Sequence, residues 1–442
     1  DFCLSRGLGD VYKRQVLRCE ILHLYLSKES RMRSRTVIAL GVSASIALSP
    51  VTATANPSAA APVTVGQNGT SLHVGDVTVP VTAAVAAVAG IGVLIGGALT
   101  VAIQVLLAAG AEKNEEGVSS SDLPSAEYVS RFDFSATEHD PAIGGLSGMD
   151  QLEDGRYIAI SDDKHEHGPI RAYIFTTQDH RRFAHEGEVR LTLPDGSDYT
   201  EFIDAEEIRQ LPNGNLLWTT EGDAREGQVA PPQLIESTAA GREVRRINPP
   251  AYHFPDGHDT KGIHHNNGPE AMTLVDGGTT ALTINENALA QDGTSNDPKH
   301  SSVNRITEYN LANGNATHEY AVRANPGRGI TSVLEAEDGS LYVLERGFYP
   351  ELGKSGEVRG EIYRLTLSGA DDVLGKDTLD GTEQLATKEL VYDFADNPPQ
   401  PDNVEALSWG PMLDDGRRTL HIAVDDNFSD TQSTLFHTVL VP

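Results

Sequence analysis

The stretch NVEALSWGPMLDDGRRTLHIAVDDNFSD, starting at Asn403, sets a glutamate, Glu405, at the head of an apolar run. An acidic pair, Asp425 and Asp426, stands at the foot of the next run. Carboxylates in so apolar a frame do one of three things: bind a hard cation, move protons for a reaction, or cap strand ends. Several of them gathered in one place repel, and the repulsion calls for a counter-ion or a retained proton.

Four more segments repeat the arrangement: GLSGMDQLEDGRYIAISDDK from Gly145, DAEEIRQLPNGNLLWTTEGD from Asp204, GPEAMTLVDGGTTALTINEN from Gly268 and GITSVLEAEDGSLYVLERGF from Gly329. Each is an apolar run, a turn built on Asp-Gly or Asn-Gly, a second β-rich run and a polar or acidic end. That is the strongest short-range signature of a β-hairpin. Aligned, the segments put Ser147, Glu206, Glu270, Ser332 and Glu405 in one register, spaced by 59, 64, 62 and 73 residues. A strand-rich repeat near 60 residues predicts an all-β β-propeller with five visible repeats and five or six blades. Each hairpin would supply the two inner strands of a blade. A two-sheet sandwich explains a fivefold recurrence less well. Pairing of the segment before Ser147 with the last strand would close the ring and hide its sheet edges.

In a propeller the inner strands line a central channel and their ends converge at one face. Glu206, Glu270 and Glu405 open inner strands, and Asp162, Glu221, Glu286, Glu345 and Asp425 end the strands beside them. Both sets are expected at one rim, with Asp163 and Asp426 adjoining it. Hard oxygen donors at this density suit Ca²⁺ or a similar cation, and these seven residues ending the second strands are the expected ligands. Arg171, Arg328 and Arg346 offer the competing explanation, neutralisation without metal.

The remaining motifs carry less. Ser147 in GLSGM lacks the Gly-x-Ser-x-Gly elbow and its strand–turn–helix setting, so a structural hydroxyl is expected rather than a nucleophile. His165 and His167 in KHEHG, and His264 and His265 in GIHHNNG, fall in loops at the rim end and read as solvated side chains before they read as a transition-metal site. No Walker, dinucleotide, helical zinc-protease or EF-hand spacing is present. The formal net charge of −30 argues against nucleic acid and anionic membrane surfaces as partners.

The N-terminal third is of a different kind. Residues 1–31, with GLGDVYKRQ, read as translated adapter or upstream sequence, and residues 32–55, opening on Met32, have the layout of a signal peptide. Both cysteines, Cys3 and Cys19, lie in the first of these pieces, so no disulfide framework is expected. Residues 56–111 contain an uncharged run, 81–111, in which 15 of 31 residues are Ala or Gly. That run is long enough for membrane association, or it serves packing or oligomerisation. Residues 112–127 read as a linker, and the folded domain is expected over 128–442 in a secreted or cell-envelope protein.

The ordered set GGLSGM, ISDD, GPIRAY, DAEEI, LPNG, NNGPEAM, LERGF, NVEAL, DDGRRTL and DDNFS resembles the phytase-like domain, the family with esterase-like activity of phytase. The chain departs from that family's Pro-Glu-Gly pattern with Ala205-Glu206-Glu207, and with Ala271 and Ala406 after the later glutamates. The resemblance implies an exported propeller-type hydrolase of phosphate or carboxylic esters, acting on a small-molecule substrate and dependent on calcium. It would use Glu206, Glu270 and Glu405 as ligands or bases, and Arg171 and Arg346, with Lys164 and Lys261 near the rim, to neutralise substrate charge. A non-catalytic propeller that binds a ligand or an envelope partner through structural metals is the alternative.

Overall fold

The computed structural model describes residues 125–137, 143–295, 299–349, 357–396 and 401–442, together with strand segments 63–65, 71–74 and 77–80. Two compact units divide the chain, Asp1–Gly117 and Val118–Pro442. In the first, β1 (Val63–Val65), β2 (Ser71–Val74) and β3 (Val77–Pro80) form a three-stranded antiparallel meander. The sequence pieces assigned to adapter, signal peptide and the apolar run 81–111 lie outside the described residues. No helix among the described residues is long and apolar enough to cross a membrane.

The second unit is a five-bladed β-propeller. Its first strand is β4 (Glu127–Asp133). Blade one holds β5 (Leu146–Gln151), β6 (Tyr157–Ser161), β7 (Arg171–Thr177) and β8 (Phe183–Arg190). Blade two holds β9 (Ala205–Gln210), β10 (Leu216–Thr220), β11 (Gln233–Ser237) and β12 (Glu243–Ile247). Blade three holds β13 (Pro269–Val275), β14 (Thr280–Asn285), β15 (Val303–Asn310) and β16 (Asn315–Arg323). Blade four holds β17 (Gly329–Glu335), β18 (Leu341–Tyr349), β19 (Glu357–Thr366) and β20 (Thr387–Asp393). Blade five is β21 (Val404–Met412), β22 (Arg418–Val424) and β23 (Leu435–Val441), completed by β4. Every pairing within a blade is antiparallel, and the β23–β4 pairing zips the last strand to the first, so the ring has no open joint.

The repeated turn chemistry builds the inner hairpins. Asp154, Asn213, Asp338 and Asp415 each accept, on a side-chain oxygen, the N–H two residues on. The glycine after each sits at positive φ, between 80° and 87°, where a side chain would be strained. Five apolar clusters then hold the blades together, one at each junction. Ile160 and Ile174 meet Ile208 and Trp218 between blades one and two, and Leu217 and Leu234 meet Met272 and Tyr309 between two and three. Ile284 and Ile306 meet Val333 and Val343, Leu344 and Ile362 meet Leu407 and Ile422, and Phe436 and Ala423 meet Phe175 and Leu146. With both faces covered, strands such as β6 and β10 are buried along their whole length, which is why they read as continuous apolar runs rather than alternating ones.

Candidate functional site

The five inner hairpins share one irregularity. At the head of each inner strand the register against its partner shifts by a residue, a β-bulge that re-aims one side chain. The extra residue is Ser147, Glu270, Thr331 and Glu405 in blades one, three, four and five, and in blade two the shift spans Glu206 and Glu207. Opposite these heads, Asp162, Glu221, Glu286 and Asp425 each donate a backbone N–H to the carbonyl of the residue before the inner strand, at 2.7–2.9 Å. In blade four the residue paired with Gly329 at that position is Arg346.

Blade four therefore corrects the sequence register by one residue in both strands. Thr331, not Ser332, is the counterpart of the three glutamates, and Arg346, not Glu345, is the counterpart of the strand-end carboxylates. Glu345 turns away from the channel and pairs with Lys388, with one oxygen accepting the Asn325 N–H at 3.1 Å.

The ring at the channel mouth gathers eight carboxylates among the described residues: Asp162, Asp204, Glu206, Glu221, Glu270, Glu286, Glu405 and Asp425. Two cations stand among them. Lys164 pairs with Asp204 at 2.7 Å and donates to Asn266 Oδ1 at 2.7 Å. Arg346 reaches Glu405 at 2.8 Å, Glu270 at 3.4 Å and Glu286 at 3.6 Å. The remaining negative charge lies toward blades two and three. There Asp204, Glu206 and Glu221 form one triad, and Glu221, Glu270 and Glu286 a second, each with oxygens within 4.8 Å of one another. Glu221 belongs to both. It is 0% exposed; its Oε1 accepts the Gly268 N–H at 2.9 Å while its Oε2 has no partner. Gly268 must be glycine for this packing, because a Cβ there would stand 2.2 Å from the Glu221 carbonyl oxygen.

Burial and mutual repulsion hold protons on this ring. Loss of hydration, then the charge of Asp204, pushes Glu206 and Glu221 well above the usual carboxylate range. Burial, then Glu286, does the same to Glu270, and burial, then Asp162, to Asp425. Asp162 is raised by burial and Asp204 to about 7. Glu405, also raised by burial but partly relieved by Arg346, comes to about 7. Orphaned buried oxygens and retained protons together describe a donor set that fits a hard divalent cation.

Beneath the ring the channel is closed. Arg209 lies on the axis, hydrogen-bonded to Glu207 at 2.8 Å and to the carbonyls of Met149 at 2.6 Å and Val333 at 3.0 Å, from blades one and four. Ser332 donates to Glu207 at 2.6 Å, and burial, partly offset by Arg209, pushes Glu207 up to about 8. The glutamate standing where the family pattern has glycine is thus half of an axial plug. Above this plug a cavity of about 1100 Å³ is lined by Ser147, Asp162, Lys164, Glu206, Glu270, Arg346, Glu405 and Asp425 among others.

Several expected site residues serve the scaffold instead. Arg171 is buried against Asp163 at 2.6 Å, and Asp163 caps the turn by accepting the Glu166 and His167 N–H groups, so neither reaches the channel. Asp426 accepts from the Gly145 and Phe428 N–H groups and the Thr434 hydroxyl, stitching blade five to blade one. Arg328 pairs with Glu361, and Lys261 does not line the cavity. Ser147 donates to Glu206 at 2.5 Å, and no described histidine lines the cavity. His264 is held by Asp259, His265 lies near Asp223, and His167 stacks on Phe428, so among the described residues no histidine is paired with Ser147. The ring residues that sequence reasoning missed are Asp204, Thr331 and, on the axis, Arg209.

Similar solved structures include an α-L-arabinanase from Penicillium chrysogenum complexed with arabinobiose, 12% identical over 71% of this chain and 83% of that one, TM-score 0.36. The periplasmic gluconolactonase PpgL of Pseudomonas aeruginosa is 10% identical over 67% and 89%, TM-score 0.33. A thermostable family-43 glycoside hydrolase is 12% identical over 68% and 89%, TM-score 0.35. Likeness this distant speaks to neither substrate nor mechanism. No curated protein sequence matches the chain. A family model described as Phytase-like, esterase-like activity of phytase, matches residues 141–428. That span takes in all five bulged strand heads and both triads, and the chain belongs to the Phytase-like family.

Proposed function

We propose that the chain hydrolyses phosphate or carboxylic esters of a small molecule at the acidic channel mouth, with calcium or a similar divalent cation held by the two triads. The observation that carries this reading is the charge imbalance: eight carboxylates against two cations, with the Glu221 Oε2 orphaned at the point shared by both triads. Asp204, Glu206, Glu221, Glu270 and Glu286 would hold the cation, which when bound supplies polarisation of the ester oxygen and neutralises the ring.

The chain's own groups supply the rest. Arg346 and Lys164 face the cavity as the groups able to hold an anionic oxygen of the substrate. Asp162 and Glu405, both titrating at about 7, are suited to take a proton from attacking water and return one to the leaving alkoxide. In that reaction the water oxygen bonds to the acyl or phosphoryl centre and the bond from that centre to the alkoxy oxygen breaks. Export, proposed from the sequence of residues 32–55, would put the site where calcium is abundant enough for a weak extracellular-type site.

The test is the double variant Glu270→Gln/Glu405→Gln. The proposal expects turnover of an activated phosphate or carboxylic ester to disappear while the circular-dichroism spectrum stays β-like. Activity equal to the wild type in that variant would remove both residues from the reaction.

A further inference from the structure

Blade four breaks the symmetry of the ring in a second way. In the other blades the second strand stops just before the ring residue, at Ser161, Thr220, Asn285 and Val424. In blade four β18 runs three residues past Arg346, to Tyr349, still paired with β19 through Gly347↔Arg359, Phe348↔Val358 and Tyr349↔Glu357. The hairpin therefore stands above the rim. Its outer face is pinned: a Cβ on Gly347 would meet the Gly327 carbonyl oxygen at 2.1 Å, Tyr349 donates to the Pro326 carbonyl at 2.8 Å, and Arg328 lies over the Tyr349 ring.

Strand alternation then settles which side chains face the ring. Arg346 and Phe348 share one face of β18, Val358 lies across the ladder from Phe348, and all three line the ring cavity. Phe348 is 52% exposed, and of the large exposed apolar side chains among the described residues it is the one that lines this cavity. One wall of an otherwise polar chamber is thus a cation with an apolar patch directly above it.

We propose that Phe348 and Val358 form a specificity subsite for the apolar part of the substrate, and that the substrate is an alkyl or aryl ester with one anionic or polar head rather than a polyphosphorylated polyol. This rests on the reading of the ring cavity as the reaction site. The head is placed at Arg346 and the triads, and the hydrocarbon part lies along Phe348 and Val358. A polyol carrying six phosphates would bring many negative charges to a cavity whose lining holds two cationic side chains, Lys164 and Arg346, beside its carboxylates. It would also leave Phe348 without a partner.

Calorimetric titration of the full chain with methyl-, ethyl-, propyl- and butylphosphonic acid, in calcium buffer, tests the subsite without turnover, because the carbon–phosphorus bond is not an ester. A methylene fully withdrawn from water is worth about fourfold in affinity, and one against a one-sided wall about twofold, so butyl should bind about eightfold tighter than methyl. Phe348→Ser should bring butyl down to the methyl affinity, while Val229→Ser, at an exposed valine that does not line this cavity, should keep the gradient. A flat series, a gradient that survives Phe348→Ser, no binding of any phosphonate, or inositol hexakisphosphate binding more tightly than butylphosphonate would each overturn the proposal. Hydrolysis of the corresponding 4-nitrophenyl esters is followed alongside. A gradient without turnover sinks the hydrolase reading and leaves the subsite standing; turnover with a flat series does the reverse.

Discussion

Withdrawing calcium should give this protein a stability that falls as the solution becomes more alkaline, and the ring determines the slope. Glu206, Glu221, Glu270 and Asp425 hold their protons well above the ordinary range, and Asp162 and Glu405 titrate at about 7. Unfolded, the same groups lose their protons near pH 4. Between these limits the native state carries more protons than the unfolded one, so stability decreases as pH rises. Buried histidines act in the opposite sense: burial lowers His421 to about 3 and His437 to about 4, and both favour folding more as pH rises toward 6.5. Above pH 6.5 histidines are largely neutral in both states, and the slope is set by the ring together with Glu207 beneath it, which burial pushes up to about 8. Each proton retained there costs about 1.4 kcal/mol per pH unit, or about 3 kcal/mol between pH 6.5 and 8.5.

Urea unfolding in chelator across pH 4.5–8.5 should therefore show stability falling through the whole range, because the six raised carboxylates outnumber the two buried histidines that oppose them, and above pH 6.5 the limb should have at least that slope. Calcium at 100 times its dissociation constant should add about 2.7 kcal/mol and flatten the limb, since it replaces the protons. A chelator profile that is level or still rising from pH 6.5 to 8.5 would refute the reasoning that the ring retains protons. A profile of the right shape that calcium leaves untouched would refute the metal.

Glu221→Gln removes the member common to both triads; it should weaken calcium binding at least 100-fold in titration, yet stabilise the chelated protein at neutral pH by about 1–2 kcal/mol, because it removes the cost of a proton that the unfolded chain has already lost. A loss of stability in chelator would count against a retained proton on Glu221. Arg209→Met should cost about 3–5 kcal/mol in urea unfolding, because it leaves Glu207 buried without its partner; a cost under about 1 kcal/mol would show that the axial plug is dispensable. Arg346→Met removes the cation nearest Glu405, so the pH at which activity half-develops should move upward from the wild-type value, and an unmoved profile would exclude Glu405 as the titrating group. Phe436→Ala, at the junction where the ring closes, should cost about 3–5 kcal/mol in the same unfolding assay.

Much of this architecture was legible because the turns repeat. Asp-Gly and Asn-Gly turns marked the inner hairpins, and their near-constant spacing implied a propeller closed by its first and last strands. Glu206, Glu270 and Glu405 followed from the register because each stands in a bulge at the same place. Blade four slipped by one because its alignment rested on residue type: Ser332 stands beside Thr331 and Glu345 beside Arg346, and only the ladder to Gly329 and Ile330 tells the neighbours apart. The ring's exception, a cation in a carboxylate position, was hidden by that slip. Asp163, Asp426 and Arg171 misled for a different reason. Acidic residues at strand ends and arginines in sheets also serve turn caps and buried pairs, and the choice depends on backbone N–H groups whose positions no spacing reveals. Arg209 carried a local signal, since alternation puts it on one face with Glu207. Its axial role, however, rests on carbonyls from Met149 and Val333, residues brought together only by ring closure.

The central claim is that cation and ester meet at the carboxylate ring. Turnover of 4-nitrophenyl phosphate and 4-nitrophenyl butyrate by the full chain, in calcium and in chelator, for the wild type and Glu221→Gln, tests it most directly. The account predicts cleavage of at least one ester that needs calcium and is lost in Glu221→Gln. Cleavage that proceeds equally in chelator and in Glu221→Gln would contradict it.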